Sequence, residues 1–196
     1  MSTLKVGAIQ STTGNAAMTV ANTGVITAPN AIIAPGSVLQ VQYTQYTGTF
    51  SQAVNADTNT IIGSSALSVS ITPKSTSSII KIDAHIFHEW ANSGSPHNSV
   101  WFFYRDSTKL AHAQVGTALC GITNTLISYS TDGSSTPEIA NYTYFDTPST
   151  TSAITYKVGT INNASTTVFV NKNNSSSTTN EYERGISFIS ATEIGG

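Results

Sequence analysis

Two runs in which apolar and polar residues alternate constrain the fold of this chain more than any other feature of its sequence. The first run extends from Leu67 to Ile71 and the second from Ile80 to His88. A period of two places one face of a β-strand in a core and leaves the other face outside it. Because Pro73-Lys74-Ser75 separates the runs, they predict either a β-hairpin or two consecutive strands of a sandwich.

Further segments with strand character follow along the chain, separated by pieces rich in Pro, Gly, Ser and Asn. The predicted strands are Val100–Tyr104, Lys109–Val115, Gly121–Ser130, Glu138–Phe145, Ala153–Asn162, Thr166–Asn171 and Gly185–Thr192. Short strands at regular intervals with polar turns between them are typical of antiparallel sandwiches and jelly rolls. The sequence therefore predicts an all-β fold, an antiparallel jelly-roll-like β-sandwich, and leaves the strand order open.

The polarity of the chain comes from hydroxyl and amide groups rather than from charges. Charged residues make up 9% of the 196 residues, whereas Ser, Thr and Asn number 27, 30 and 15. The eight Lys and Arg residues form no cluster, which argues against a nucleic-acid partner. No apolar run approaches the ~20 residues of a membrane span. We also expect no signal peptide, because the first residues lack an uninterrupted apolar stretch.

The first 36 residues differ in character from residues 37–196, which we assign to a β-sandwich head domain. Short β-like pieces, Leu4–Gln10 and Ala17–Val20, are separated by turns that contain Gly and Asn. Such a segment has too little apolar surface to fold alone. We expect residues 1–36 to be an extended arm that pairs with copies of itself or docks on a larger partner. The candidate attachment residues are the apolar side chains of Leu4, Val6, Ile9, Met18 and Val20.

Residue types that commonly carry chemistry are few and scattered. His85 and His88 lie three apart in a predicted strand, so their side chains leave opposite faces and cannot share a metal ion unaided. The exception is a three-fold axis, on which one histidine of each chain would meet its copies. Cys120 stands in a small apolar context that is typical of a core position. We therefore expect no catalytic residue, no metal and no cofactor, although a glycosidase pair built from distant carboxylates stays an alternative.

An aromatic set supplies the candidate receptor contacts. Alternation within Val100–Tyr104 directs some of its rings into the core, whereas Trp90 adjoins a polar loop, Asn92–Asn98. An exposed Trp90 could stack on a sugar or anchor a partner, and core packing is the alternative for the same ring. The candidate contacts are Trp90, Asn92, His97 and Asn98.

Several stretches, low in complexity and spread over nearly the whole chain, also carry a family resemblance. They are Ser2–Val6, Ile9–Ala17, Gly24–Pro29, Ser70–Ser78, Tyr144–Pro148, Ile154–Val158 and Ile186–Ile194. Together they resemble tail-fibre-like virion structural proteins of marine bacteriophages, cyanophages in particular.

The resemblance implies a virion-attachment arm followed by a jelly-roll head similar in shape to tumour necrosis factor or complement C1q. It also implies a homotrimer that serves as a short tail fibre or receptor-binding tip, without catalysis. The expected partners are copies of the same chain, other tail or capsid proteins, and a host-surface glycan that hydroxyl, amide and aromatic groups would recognise. Capsid decoration, a free carbohydrate-binding module and a depolymerase are the alternatives.

Overall fold

The computed structural model describes residues 7–10, 16–27, 35–91, 98–125, 137–175, 178 and 182–196. Within these ranges the secondary structure consists of β-strands and one short 3₁₀ turn, Ser64–Leu67. The strands are β1 (Ala8–Gln10), β2 (Ala16–Val20), β3 (Ile26–Thr27), β4 (Val38–Tyr46), β5 (Phe50–Val54), β6 (Thr60–Ile61), β7 (Ser68–Ile71), β8 (Ile79–Trp90), β9 (Ser99–Arg105), β10 (Thr108–Leu110), β11 (Glu138–Asp146), β12 (Ile154–Asn162), β13 (Thr166–Val170) and β14 (Ser187–Ile194).

Two antiparallel sheets form the sandwich of the head. In the first sheet, β4, β14, β8 and β11 lie side by side, and β13 and β5 continue the sheet along the far end of β8. The second sheet has the order β10-β9-β12, and β6 and β7 pair with successive parts of β12. The apolar faces of the two sheets therefore meet in one core between them.

The strands of the head are divided between the two sheets in the order of a jelly roll. When β4, β7, β8, β9, β10, β11, β12 and β14 are counted from one to eight, the sheets read 1-8-3-6 and 2-7-4-5. This double Greek-key order confirms the predicted antiparallel jelly-roll-like sandwich. Of the two arrangements left open for the alternating runs, the consecutive-strand arrangement is correct, because β7 and β8 belong to different sheets.

The long strand β8 sets the register of the first sheet. Its side chains alternate between half-buried and fully buried from Ile79 to His88. β11 pairs along one side of β8, while β14 and β13 share the other side. Ile80, Ile82 and Ile86 therefore all point into the core, where they are fully buried. The second sheet packs Trp101, Phe103, Tyr156 and Val158 against them.

The structure differs from the sequence prediction in two parts of the head. Strands β4, β5 and β6 were not predicted, because their Gln, Thr and Tyr side chains blur the apolar alternation. Conversely, the predicted strand Lys109–Val115 is confirmed only for Lys109 and Leu110, where β10 ends, and the predicted strand Gly121–Ser130 is wrong where it is described, because residues 111–125 form a loop. We call this loop the strap. Gly116 turns it with a left-handed backbone angle (φ 53°), which breaks a strand.

The strap pairs with the edge of β9 in the second sheet, and its Gly121 lies beside Val100 on the outer face of that sheet. Trp101 on β9 donates from its backbone to Thr123, and Ile122 donates back to Trp101, both at 2.7 Å. The ring of Phe102, on the same outer face, is fully buried above Gly159. A Cβ atom at Gly159 would lie 2.4 Å from that ring, so only glycine allows this packing.

Strands β1, β2 and β3 form a separate three-stranded antiparallel sheet within the predicted arm. The predicted β-like pieces correspond to β1 and β2, and the arm residues before residue 7 lie outside the described ranges. Ile9, Val20, Val25 and Ile26 are all exposed on this sheet. The arm therefore leaves its apolar side chains uncovered by the described parts of the head.

A partly buried ion pair ties the two sheets together. Arg105 on β9 donates from Nη1 to both carboxylate oxygens of Asp146 on β11, at 2.9 and 3.0 Å. The hydroxyl group of Tyr156 on β12 donates to Asp146 Oδ2 at 2.7 Å. Burial and this hydrogen bond raise the pKa of Tyr156, so the phenol stays a donor. Breaking such a pair from one side would leave a charge uncompensated in the interior.

A second buried carboxylate, Glu193 on β14, fixes the turn before β8. Its oxygens accept hydrogen bonds from Gln40 Nε2, the Lys74 backbone amide and Ser78 Oγ, each at 2.6 Å. Burial alone would raise the pKa of Glu193, but the hydrogen bonds outweigh it and lower that pKa. The carboxylate thus joins β4, β14 and the turn into β8.

We expect Glu193→Gln to lower the free energy of unfolding by about 2 kcal/mol, because an amide NH₂ group would face donors that now bind a carboxylate. Urea unfolding followed by circular dichroism measures the change. The same substitution at the exposed Glu183 is the control and should leave the midpoint unchanged. Equal midpoints for the two variants would contradict the role given to Glu193.

Candidate functional site

The outer face of the first sheet carries large apolar side chains that the described parts of the chain leave uncovered. We call it the open face. Its residues are Val41, Tyr43 and Gln45 on β4, Phe188, Ser190 and Thr192 on β14, Lys81, Asp83, His85 and Phe87 on β8, and Ile139, Asn141, Thr143 and Phe145 on β11. Tyr43 is 72% exposed and Phe145 59% exposed, and Val41, Ile139 and Phe188 are exposed as well. Clustered exposed apolar side chains of this kind mark interaction surfaces.

Polar side chains in the middle of the open face are held in place by one another. Lys81 Nζ lies 2.9 Å from Asp83 Oδ2, and Thr143 donates to Asp83 Oδ1 at 2.6 Å. His85 Nδ1 lies 2.7 Å from Asn141 Oδ1, and the His85 ring stacks on Phe188 with centroids 5.5 Å apart. The open face is therefore a pre-ordered surface, and its hydrogen-bonding groups largely satisfy each other.

His85 and His88 lie on opposite faces of β8, as the sequence predicted. His85 is half-exposed on the open face, whereas His88 is fully buried in the core. Among the described residues, no three His, Cys, Asp or Glu side chains are grouped so that they could hold a metal ion. Of this pair, only His85 is accessible to copies of the chain on a three-fold axis.

An aromatic cluster with His88 fills the end of the sandwich. The His88 ring lies edge-on to Trp101 at 4.8 Å and to Trp90 at 6.0 Å. Its Nδ1 lies 3.1 Å from the Ile86 carbonyl oxygen and its Nε2 3.2 Å from Thr125 Oγ1. Burial lowers the pKa of His88 to about 4, and the hydrogen bond to Ile86 opposes part of that shift. The imidazole is therefore neutral at physiological pH.

This cluster corrects the expectation for Trp90. The side chain is 2% exposed, so its ring packs in the core and is not available to stack on a sugar. Its position on β8 next to Trp101, with centroids 5.8 Å apart, explains the burial. Of the other candidate contacts, Asn98 is described and exposed, while Asn92 and His97 lie outside the described residues.

The described attachment candidates of the arm are Ile9, Met18 and Val20. Ile9 and Val20 are exposed, and Met18 is half-buried. Leu4 and Val6 lie outside the described residues.

A carboxylate, Glu138, lies near the same end of the sandwich. Burial, together with the negative charge of Glu89, raises the pKa of Glu138 to about 7. Glu138 pairs with His88 across β11 and β8, so it shares the inner face, whereas the next residue, Glu89, belongs to the opposite face. Glu89 accepts a hydrogen bond from the Asn174 amide at 2.6 Å. The two carboxylates therefore do not converge on one groove.

A groove beside the strap is the second surface that the sequence did not predict. We call it the strap groove; its cavity of about 820 Å³ lies between the strap, the start of β9 and the turn after β12. Asn98 lines the groove, as do the exposed His112, Asn124 and Asn163. Cys120 is a buried free cysteine at its base, which agrees with the predicted core position.

The sequence signals for both surfaces were indirect. On β8 the residues between the inward isoleucines point outward. Most of these outward residues are polar, but Phe87 is apolar. Phe145 and Phe188 occupy outward positions on the neighbouring strands. The strap groove had no such pattern, because its residues meet only through the tertiary fold.

Comparison with known proteins gives no family assignment for this chain. It matches no family model and no curated protein sequence. Among the described residues, no helix is long and apolar enough to cross a membrane.

His88 and Glu138 give the fold opposite dependences on pH. The pKa of Glu138 is raised from 4.5 to about 7, so this group destabilises the fold as the pH rises through that window. The pKa of His88 is lowered from 6.5 to about 4, so its contribution is lost as the pH falls through that window. Between pH 4.5 and 6.5, where both windows overlap, the two groups change the stability of the unaltered chain in opposite directions.

We expect Glu138→Gln to remove one of the two effects. Its melting temperature should exceed that of the unaltered chain at about pH 8, where the buried carboxylate is charged. It should also fall more steeply on acidification from pH 6.5 to 4.5, where His88 then acts unopposed. Thermal unfolding followed by circular dichroism tests both effects, and parallel curves for the two proteins would contradict them.

Proposed function

We propose that this chain is a bacteriophage virion structural protein, a short homotrimeric tail fibre. In this proposal residues 1–36 dock on the particle, the β-sandwich head associates through its open face, and the surfaces left outward recognise a glycan of the host surface. The role is structural and non-catalytic. The observation that carries the proposal is the open face, a sheet surface with ordered polar groups and uncovered aromatic side chains.

The two faces of the sandwich are treated differently, and this difference supports self-association through one of them. On the second sheet, Phe102 on the outer face is fully buried beside Tyr104 and Gly159, with Lys109 Nζ 4.1 Å from the centroid of its ring. The first sheet leaves Tyr43, Phe145 and Phe188 exposed. Burying such side chains between copies would remove apolar area from water at about 25 cal/mol per Å².

Second copies of the chain suit the open face better than a charged partner does. Among the residues that define it, the charged ones are Lys81 and Asp83, which neutralise each other at 2.9 Å. The whole chain carries a formal net charge of −2, so copies repel one another weakly. A ring closed by rotation buries the same patch on every copy and leaves no patch for further growth.

The arm supports a docking role on separate grounds. Its small sheet exposes Ile9, Val20, Val25 and Ile26, and a three-stranded sheet without a covered apolar face is marginal in water. A partner that covers these side chains would stabilise the arm. We propose the virion as this partner because Ser2–Val6, Ile9–Ala17 and Gly24–Pro29 resemble the start of tail-fibre-like proteins.

The native mass of the purified full chain, measured by light scattering after gel filtration, tests the proposal. We expect three times the chain mass of 20.6 kDa for the full chain. A chain that begins at Gly36 should also be trimeric, since the open face belongs to the head. A monomer in both cases would contradict the proposal of a trimeric fibre and would favour capsid decoration or a free binding module.

A matched pair of substitutions separates the open face from exposed apolar surface in general. Phe145 on the open face and Val115 on the strap are both 59% exposed. Phe145→Asp should shift the native mass to that of the monomer, because it places a charge in each copy of the interface. Val115→Asp should leave the mass unchanged. Dissociation by both variants, or by neither, would contradict association through the open face.

A further inference from the structure

The strap groove has walls that the fold holds in place. Gln114 Nε2 donates to the carbonyl oxygens of Gly116 and Ala118, both at 2.9 Å, and so closes the tip of the strap on itself. On the opposite wall the Asn163 amide donates to the Asn98 carbonyl oxygen at 3.3 Å. The groove is therefore formed before any ligand enters, which reduces the entropy lost on binding.

Three asparagine side chains on this groove keep their hydrogen-bonding capacity for a ligand. Asn98, Asn124 and Asn163 are exposed and line the cavity, and none of their side-chain amides bonds to another described residue. Each amide offers two N–H donors and one carbonyl acceptor. Three amides on one cavity thus offer donors and acceptors together.

His112 adds a further acceptor to the same cavity. Its Nδ1 lies 2.7 Å from the Ala113 carbonyl oxygen, which can only accept, so Nδ1 carries the hydrogen. In the neutral ring the other nitrogen, Nε2, is then an acceptor. The side chain is exposed where it lines the groove.

The rest of the described lining is uncharged. Val100, Leu119 and Ile122 supply apolar surface, Ser99, Thr117 and Thr123 supply hydroxyl groups, and no Asp, Glu, Lys or Arg is among the described residues that line the cavity. Among these residues a phosphate or carboxylate ligand would find no cation, and a cationic ligand no carboxylate. A cavity of about 820 Å³ is within the ~300–1,000 Å³ typical of small-ligand sites.

We propose that the strap groove binds a neutral saccharide. A sugar ring carries adjacent hydroxyl groups that both donate and accept, which matches the amides of Asn98, Asn124 and Asn163, while its C–H faces suit Val100 and Leu119. The inference rests on the proposed function, since it assigns the glycan recognition of the fibre to one site. In this inference the groove takes the place of the buried Trp90 as the candidate receptor contact, and Asn98 stays one of the contact residues.

Titration of the full chain with neutral sugars tests the inference. The probes are glucose, galactose, mannose and N-acetylglucosamine, each followed by saturation-transfer-difference NMR. We expect at least one of them to bind. Asn98→Ala and Asn163→Ala should each raise its Kd about tenfold, as expected for the loss of one or two hydrogen bonds. Asn55→Ala, at an exposed asparagine outside the groove, is the control and should leave the Kd unchanged.

Two results would overturn the inference. If none of the four sugars binds, the ligand class is wrong, and the trimeric fibre is judged separately by its native mass. If a sugar binds and Asn98→Ala, Asn163→Ala and Asn55→Ala all leave its Kd unchanged, recognition takes place elsewhere on the protein. Gel filtration of each variant shows whether it keeps the mass of the unaltered chain, so that a lost assembly is not mistaken for a lost contact.

Discussion

The alternation of side chains along β8 is the constraint on which the rest of the structure depends. Three strands pair with β8, so its register fixes which side chains of β11, β13 and β14 point inward. Ile80, Ile82 and Ile86 then meet the aromatic residues of the second sheet in one core. The same alternation directs His85 and its neighbours outward, so core and open face follow from one register. A slip by one residue would exchange the two faces, placing Lys81 and Asp83 in the core at a large cost in desolvation.

The sandwich is asymmetric, and this asymmetry links the fold to the proposed assembly. Both sheets have an inner apolar face, but on the outside of the second sheet the Phe102 ring is fully buried beside Lys109 and Tyr104. Gly159 leaves room for this ring. On the first sheet the described residues leave the outward rings of Phe145 and Phe188 exposed, and His85 and Asn141 bond to each other within the same surface. Association through this surface would bury the outward rings of the first sheet, as Phe102 is buried on the second.

Much of the fold was predictable from the sequence because alternation is a local property. The strand pattern around Ile80–His88 and the opposite faces of His85 and His88 followed from spacing alone. The burial of Trp90 did not, since it depends on Trp101 and His88 reaching it from across the sandwich and from its own strand. The strap was mistaken for two strands because its apolar residues imitate a strand pattern, whereas the decisive interactions are the Gln114 side-chain bonds and the turn at Gly116. Surfaces made by distant segments, such as the strap groove, have no local signal at all.

The scarcity of charge unites the two proposed contact surfaces. The open face holds one ion pair that is already neutralised, and the strap groove is lined by amides, hydroxyls and aliphatic groups. Association and ligand binding would therefore depend on apolar burial and on neutral hydrogen bonds, which salt screens far less than it screens exposed charges. A chain with charged residues at 9% has few other means of binding, so its many hydroxyl and amide groups must supply both solubility and specificity. Hydroxyl and amide groups can do both because water satisfies them when they are exposed, and a ligand of similar polarity can replace that water at little net cost.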